Sequence, residues 1–225
     1  FMVVDEKGTF ISQRRYPRMA LIRPRIEAGK MIIEAPDVLP LSLDLADVSG
    51  ERIEVKVWDD TVYAIQQQHY VNEWFRSFLH DLDLSLVRFS PEAHRYIDQG
   101  LLGERTAESK FADQYPLTLV SEASIEDLNT RLHETIDHTR FRPNILVSGF
   151  GSYEEDAIKS LRIESSGVVL KLVKPVKRCK IVNVDPASGK IKSDEVLHTI
   201  ASYRTRTGTS SGILFCMKAL IDSGV

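Results

Sequence analysis

The clearest pattern in the first third of the chain has a period of two. In Arg52–Trp58 the apolar residues Ile53, Val55 and Val57 point one way, and Arg52, Glu54 and Lys56 point the other. That alternation predicts a half-buried strand. Asp59-Asp60 is expected to turn it into a second strand, Thr61–Ile65. Upstream, Phe1–Val4 and Thr9–Ser12 flank Asp5-Glu6-Lys7-Gly8, a turn with glycine where a positive φ is required. Met19–Arg23 and Met31–Glu34 flank Ala28-Gly29-Lys30 and predict another hairpin. Short strands joined by regular turns indicate a small barrel or sandwich. The period then changes: Val71, Trp74, Phe75 and Phe78 share one face of a helix over Val71–Leu79. Leu84–Arg88 reads as a strand. Pro91–Lys110 has no clean period and is expected to be a linker or mobile loop.

The second half mixes both periods. Leu117–Val120 reads as a strand. Ser124-Ile125-Glu126-Asp127 has the form of a capping box, and Ile125, Leu128, Leu132 and Ile136 follow at helical spacing. This predicts a helix from Ser124 to about Asp137. Asn144–Ser148, Ser160–Glu164, Val168–Val173 and Lys180–Val184 read as strands, which makes Lys174–Cys179 a loop between the last two. Asp185-Pro186-Ala187-Ser188-Gly189 reads as a turn. A short helix near Val196–Tyr203 and a strand near Ile213–Phe215 follow. Phe1–Val4 reads as mid-strand and Asp222–Val225 as a turn, so both ends are expected to be cut from something longer.

Composition narrows the function classes. The chain has 225 residues and a formal charge of −3, with 29 Lys+Arg against 32 Asp+Glu. That balance gives no support for a nucleic-acid partner or a membrane surface. No apolar run reaches the roughly 18–20 residues of a membrane-spanning helix. Two cysteines, Cys179 and Cys216, make no disulfide framework and favour a reducing compartment.

Cys216 sits in an apolar run and reads as a small buried hydrophobe. Cys179 is different, because Arg178 and Lys180 flank it and Lys174 and Lys177 lie close. Neighbouring cations favour the thiolate, a soft ligand for sulfur-binding metals. Charge alone leaves a reactive or ligating thiol and a structural one equally open. There is no CxxC or HExxH, and the six histidines show no zinc-ligand spacing. Arg140-Phe141-Arg142-Pro143-Asn144 is either a solvated turn or an anion clamp built on arginine forks. Arg14-Arg15 and Arg204-x-Arg206 carry the same ambiguity.

Longer stretches carry a resemblance. Phe141–Gly149, Val173–Cys179 and Val184-Asp185-Pro186-x-x-Gly189 are similar to the core of the MOSC domain, the C-terminal domain of molybdenum-cofactor sulfurases. So are Asp113-x-Tyr115-Pro116-Leu117, Ser121–Asn129 and Leu197–Arg204. Met2–Ile22 resembles the β-barrel domain that precedes MOSC. The resemblance implies a β-rich α+β chain: an N-terminal β-barrel-like domain over residues 1–90, then a MOSC β-barrel domain with peripheral helices over residues 91–225.

The arrangement resembles that of the amidoxime-reducing components and their bacterial counterparts, which reduce hydroxylaminopurines and amidoximes on a molybdenum cofactor. The resemblance implies that Cys179 is the metal ligand and the catalytic thiolate. The preceding cysteine of the family's Cys-x-x-Cys-like stretch is Val176 here. Arg142, Asn144, Arg178 and Lys174 would hold the pterin or its phosphate, with Asp113 and Ser121 as further polar contacts. The family's phosphate-holding Lys and Ser lie upstream of Phe1, and its Phe-Gly-Gln stretch is Phe215-Cys216-Met217 here. The implied partners are an N-hydroxylated small molecule and an electron-donating flavoprotein or iron–sulfur domain. The implied location is cytoplasmic for a bacterial protein, or mitochondrial. Pyridoxal phosphate binding is a weaker family-level association. Alternatives are a molybdopterin-binding or sulfur-carrier module without its own turnover, and an interaction domain that has lost the cofactor.

Overall fold

The alternating segment Arg52–Trp58 forms a strand whose Val55 and Val57 are 1% and 2% exposed while Glu54 and Lys56 face outward. The computed structural model describes residues 1–97, 107–208 and 211–223. The chain divides into two units, Phe1–Tyr96 with Pro186–Lys190, and Ile97–Asp185 with Ile191–Val225. The middle of the expected linker Pro91–Lys110 lies outside the described residues.

In the first unit, β1 (Met2–Val4) is followed by β2 (Arg23–Glu27), β3 (Lys30–Glu34) and β4 (Leu41–Asp44). Then come β5 (Arg52–Val57), β6 (Asp60–Gln66), α1 (His69–Leu79) and β7 (Ser85–Phe89). One antiparallel sheet has the order β1-β7-β6-β5 and another β2-β3-β4. The apolar stripe of α1, with Val71, Phe75, Phe78 and Leu79, packs into one core with Val3, Ile33, Leu41, Leu43, Leu84 and Leu86. Gly50 is obligatory at the start of β5: a Cβ there would come 1.8 Å from the Gln66 carbonyl oxygen.

Three expectations for this unit are corrected. Met19–Leu21 is not strand but the end of a 3-10 turn, Pro17–Leu21, because Pro17 presets its φ. The hairpin strand starts at Arg23, where Pro24 is tolerated on an edge. The β5–β6 turn is Trp58-Asp59, with Trp58 at φ 58, and Asp60 already pairs with Val57. Thr9–Ser12 makes only isolated bridges from Thr9 and Phe10.

The second unit holds β8 (Leu117–Ser121), α2 (Glu122–Asn129), β9 (Ile145–Val147), β10 (Ser160–Arg162) and β11 (Val169–Lys177). A two-stranded hairpin, β12 (Val184–Asp185) and β13 (Lys190–Ile191), carries the predicted turn. It is followed by α3 (Glu195–Arg204), β14 (Thr205–Arg206) and β15 (Gly212–Ser223). The main sheet runs β10-β11-β15-β8-β9, with β14 beside β15 and β9 parallel to β8. Its central strand β15 is buried on both faces from Phe215 to Leu220. Val120, Val176 and Phe215 pack under α2 and α3 with Leu128 and Ile200, while Leu119, Leu172, Met217 and Ala219 form a separate cluster.

Here too the structure corrects the sequence reading. α2 starts at Glu122 and stops at Asn129, so Ser124 lies inside the helix and makes no capping box. Leu132 and Ile136 still reach the core from a loop, because the Asn129 side chain bonds both the N–H and the C=O of Ile136. Lys174–Lys177 belongs to β11 rather than to a loop. Lys180–Asn183 is a 3-10 turn, not a strand, and the side-chain Oδ1 of its Asn183 accepts the Leu197 N–H at the start of α3. β15 extends through Asp222-Ser223, which are therefore not a turn; Gly224 and Val225 lie outside the described residues. Among the described residues no helix is long and apolar enough to cross a membrane.

Candidate functional site

Cys179 sits where β11 ends and the 3-10 turn begins, half-buried and free of any disulfide. The residue before it is fixed from several directions. The Arg178 N–H donates to Ile213 O at 2.8 Å, Nε to Phe215 O at 2.8 Å and Nη1 to Phe141 O at 3.3 Å. Its guanidinium also lies over the Phe141 ring, 5.2 Å from the centroid. Nη2 is buried and bonds to none of the described residues. A planar cation held by its other nitrogens, with one fork left to donate, is suited to an anion.

A β-bulge builds this arrangement. Pro175 pairs with Met217 and Lys177 with Leu214, so Phe215 and Cys216 together oppose Val176. Cys216 takes φ 69, in the left-handed region that favours glycine. Its thiol pKa is pushed up to about 11, mainly by burial, against the pull of Arg178. Cys216 is thus an inert buried thiol, as its apolar neighbours predict.

The other candidates divide. Arg142 follows the turn His138–Phe141 in a left-handed conformation and is exposed. Desolvation of its guanidinium by the surrounding protein, then the nearby Arg178 cation, lowers its pKa. Arg142 and Arg178 therefore share one electropositive region. Asn144 lies at the surface, and it clips β9 to β8 through Thr118: its Oδ1 accepts the Thr118 N–H at 2.9 Å and its own N–H donates to Thr118 O at 2.8 Å. Lys174 is half-buried on β11, with its ammonium 5.4 Å from the centroid of the Tyr115 ring. Asp113 faces Lys218 at 3.5 Å. Ser121 is completely buried, and its N–H donates to Glu155. Its hydroxyl, like Arg178 Nη2, is buried and has no hydrogen-bond partner among the described residues. Among the described residues no three His, Cys, Asp or Glu side chains converge on a metal position.

Comparison with known proteins decides the family. Residues 1–81 match the MOSC N-terminal beta barrel domain, and residues 106–220, just over half of the chain, match the MOSC domain. The chain belongs to the MOSC family. Its strand-rich units accordingly are a MOSC N-terminal β-barrel domain followed by a MOSC domain. It is 34% identical to mitochondrial amidoxime reducing component 2 of Rattus norvegicus over 91% of this chain and 61% of that protein. It is 30% identical to mitochondrial amidoxime-reducing component 1 of Danio rerio over 91% and 63%. It is 36% identical to the molybdenum cofactor sulfurase of Oryza sativa subsp. japonica over 89% and 26%. The chain thus spans about three fifths of the amidoxime-reducing components and about a quarter of the sulfurase.

The sequence reading missed two groups in the MOSC domain. Lys218 is buried inside β15; the signal was one lysine within the apolar run Ile213–Ile221. Glu155 is 1% exposed and accepts the Ser124 hydroxyl at 2.8 and 2.9 Å and the Ser121 N–H at 3.3 Å. It thereby ties the start of α2 to the 3-10 turn Glu154–Asp156, and no sequence pattern marks it. Glu155→Ala is expected to destabilise the protein by about 3 kcal/mol, because it strands buried donors and opens a cavity. Ser124→Ala should cost only about 1 kcal/mol. Urea denaturation checks both; equal small losses would show that Glu155 does not organise this corner.

Proposed function

We propose that this MOSC chain is a molybdenum-cofactor-dependent reductase of N-hydroxylated compounds, of the hydroxylaminopurine or amidoxime type, with Cys179 as the thiolate that holds the metal. The observation that carries the reading is the buried Nη2 of Arg178, which lacks a partner among the described residues, in the residue next to the half-buried Cys179 thiol. A single thiol ligand suits a metal that brings most of its ligands with an organic cofactor. The donor set fits such a group. Similarity to the amidoxime-reducing components supports the substrate class.

In this reading Arg178 and Arg142 pair with the cofactor's anionic groups. Lys174 adds charge from β11. Asn144 contributes through its amide NH2 while its oxygen stays on Thr118. Asp113 contributes through Lys218, and Ser121 is a weaker polar contact through its buried hydroxyl. When bound, the molybdenum cofactor supplies the electron-transfer chemistry, and the protein supplies position and electrostatics. Reduction of N–OH to N–H with release of water needs electrons from a partner, a flavoprotein or an iron–sulfur domain. The cytoplasm or the mitochondrion is the setting.

Similarity to a molybdenum cofactor sulfurase favours one other reading, a cofactor-binding or sulfur-carrier module without turnover. Assay of the full-length protein, loaded with cofactor and given a chemical electron donor, separates the two. Hydroxylaminopurine should be reduced at many turnovers per molybdenum. Stoichiometric cofactor binding without turnover would establish the module instead.

A further inference from the structure

Lys218 is an unusual residue for its position. It stands among consecutive buried residues of β15, and its side chain is 7% exposed. In the sheet register it lies directly opposite Lys174 on β11, just beyond a bulge at Val173. Both ammonium groups face the same buried Tyr115 ring, at 5.4 and 6.0 Å from its centroid. Like charges placed opposite each other across strands repel, and burial of an ammonium adds a desolvation penalty.

Compensation inside the protein is thin. Lys218 Nζ donates to Gln114 Oε1 at 3.0 Å and lies 3.5 Å from Asp113 Oδ2, but that carboxylate is 62% exposed. An exposed partner is well screened and gains little. Burial lowers the Lys218 pKa; Asp113 opposes this, and Lys174 and Arg178 lower it further. Lys174, Lys218 and Arg178 thus form one electropositive group, which extends to Arg142 through Arg178. Lys218 points away from the apolar cluster of Met217, Ala219 and Leu172, to the face where its cross-strand neighbours are Lys174 and Thr118 and where the buried Tyr115 and Leu220 pack.

We infer that Lys174 and Lys218, side by side over Tyr115, form a binding site for a phosphate-type oxyanion. A tetrahedral dianion placed between two ammonium groups relieves their repulsion and replaces the water lost by Lys218. Two carriers share that chemistry: the phosphate of the cofactor, and the phosphate of an N-hydroxylated nucleotide substrate. The choice of carrier rests on the proposed function; the anion site itself does not.

The test begins with the cofactor-free full-length protein and inorganic phosphate, titrated by calorimetry at constant ionic strength. Saturable binding is expected for wild type and for Lys159→Met, an exposed lysine elsewhere in the same unit. Lys218→Met and Lys174→Met should each weaken binding about tenfold or more, the loss of one charge-assisted contact. Lys218→Met should also melt no lower than wild type in phosphate-free buffer, since it removes an ammonium from the interior. If Lys218→Met does not fold, the half-buried Lys174→Met decides. Phosphate affinity unchanged in the folded variants, or lost equally in Lys159→Met, would overturn the site. In the loaded enzyme the carriers separate. A cofactor phosphate predicts lower molybdenum content in Lys218→Met and no phosphate binding once wild type is loaded. A substrate phosphate predicts unchanged molybdenum and a raised KM for hydroxylaminopurine ribonucleotide but not for the free base. Absence of molybdenum from wild type would defeat the proposed function while leaving the phosphate result standing.

Discussion

Cys179→Ala is expected to lose essentially all bound molybdenum and all reduction of N-hydroxylated substrates, with the fold intact. The thiol is half-buried at the end of β11, and its Sγ accepts no hydrogen bond from the described residues that would tie it to the core. Its removal therefore opens little cavity, and the stability change should stay within about 1 kcal/mol. Cys216→Ala is the contrasting control. That thiol is fully buried at the bulge of β15, with its pKa pushed up to about 11. Alanine there should cost about 1–2 kcal/mol of packing and leave molybdenum content unchanged. Metal analysis and circular dichroism on both variants check the pair. Full molybdenum retention in Cys179→Ala would refute the ligand role.

Arg178→Ala is expected to lower cofactor occupancy about 10–100-fold, the range found for residues that support a metal ligand. Lys177→Ala should leave occupancy within about twofold, because Lys177 is an exposed strand residue and solvated charges contribute little. The mechanism is specific. Arg178 holds the carbonyls of Phe215 and Phe141 with Nε and Nη1, and so aims its remaining nitrogen and fixes the backbone that carries Cys179. Arg178→Lys tests the fork separately from the charge, since an ammonium cannot reproduce a planar multi-point contact. It should retain part of the occupancy. Loss of those backbone contacts also costs stability, so occupancy is compared at equal distance below each variant's melting temperature. Equal behaviour of Arg178→Ala and Lys177→Ala would remove any special role for Arg178.

Elements with one buried face were legible in the sequence. Residues 52–66 and α1 have their period written in the alternation of Val55 and Val57 and in the spacing of Val71, Phe75 and Phe78. The MOSC sheet was less legible. β15 is buried on both sides and so loses its alternation, and Lys218 interrupts its apolar run. β11 keeps an alternating burial, but Lys174 and Pro175 break its apolar run and give Lys174–Cys179 the composition of a loop. Ser124 misled through chemistry: it has the spacing of a helix cap, yet its hydroxyl serves Glu155, a contact across 31 residues that no local pattern encodes.

At the site, the cations next to Cys179 left a ligating and a structural thiol equally open, and only the family resemblance gave it a role. The bulge that puts Cys216 at a positive φ had no signal in the sequence, which reads Cys216 only as one more residue of an apolar run. What no local window could show is convergence. Phe141 and Phe215 meet at Arg178, and Tyr115 meets Lys174 and Lys218, from strands and turns far apart in the chain.

The most direct test of the central claim is the molybdenum and pterin content of the full-length protein, purified from a host that makes the molybdenum cofactor. The account predicts molybdenum and molybdopterin together, each approaching one per chain. Protein purified folded from that host with neither above background would contradict it.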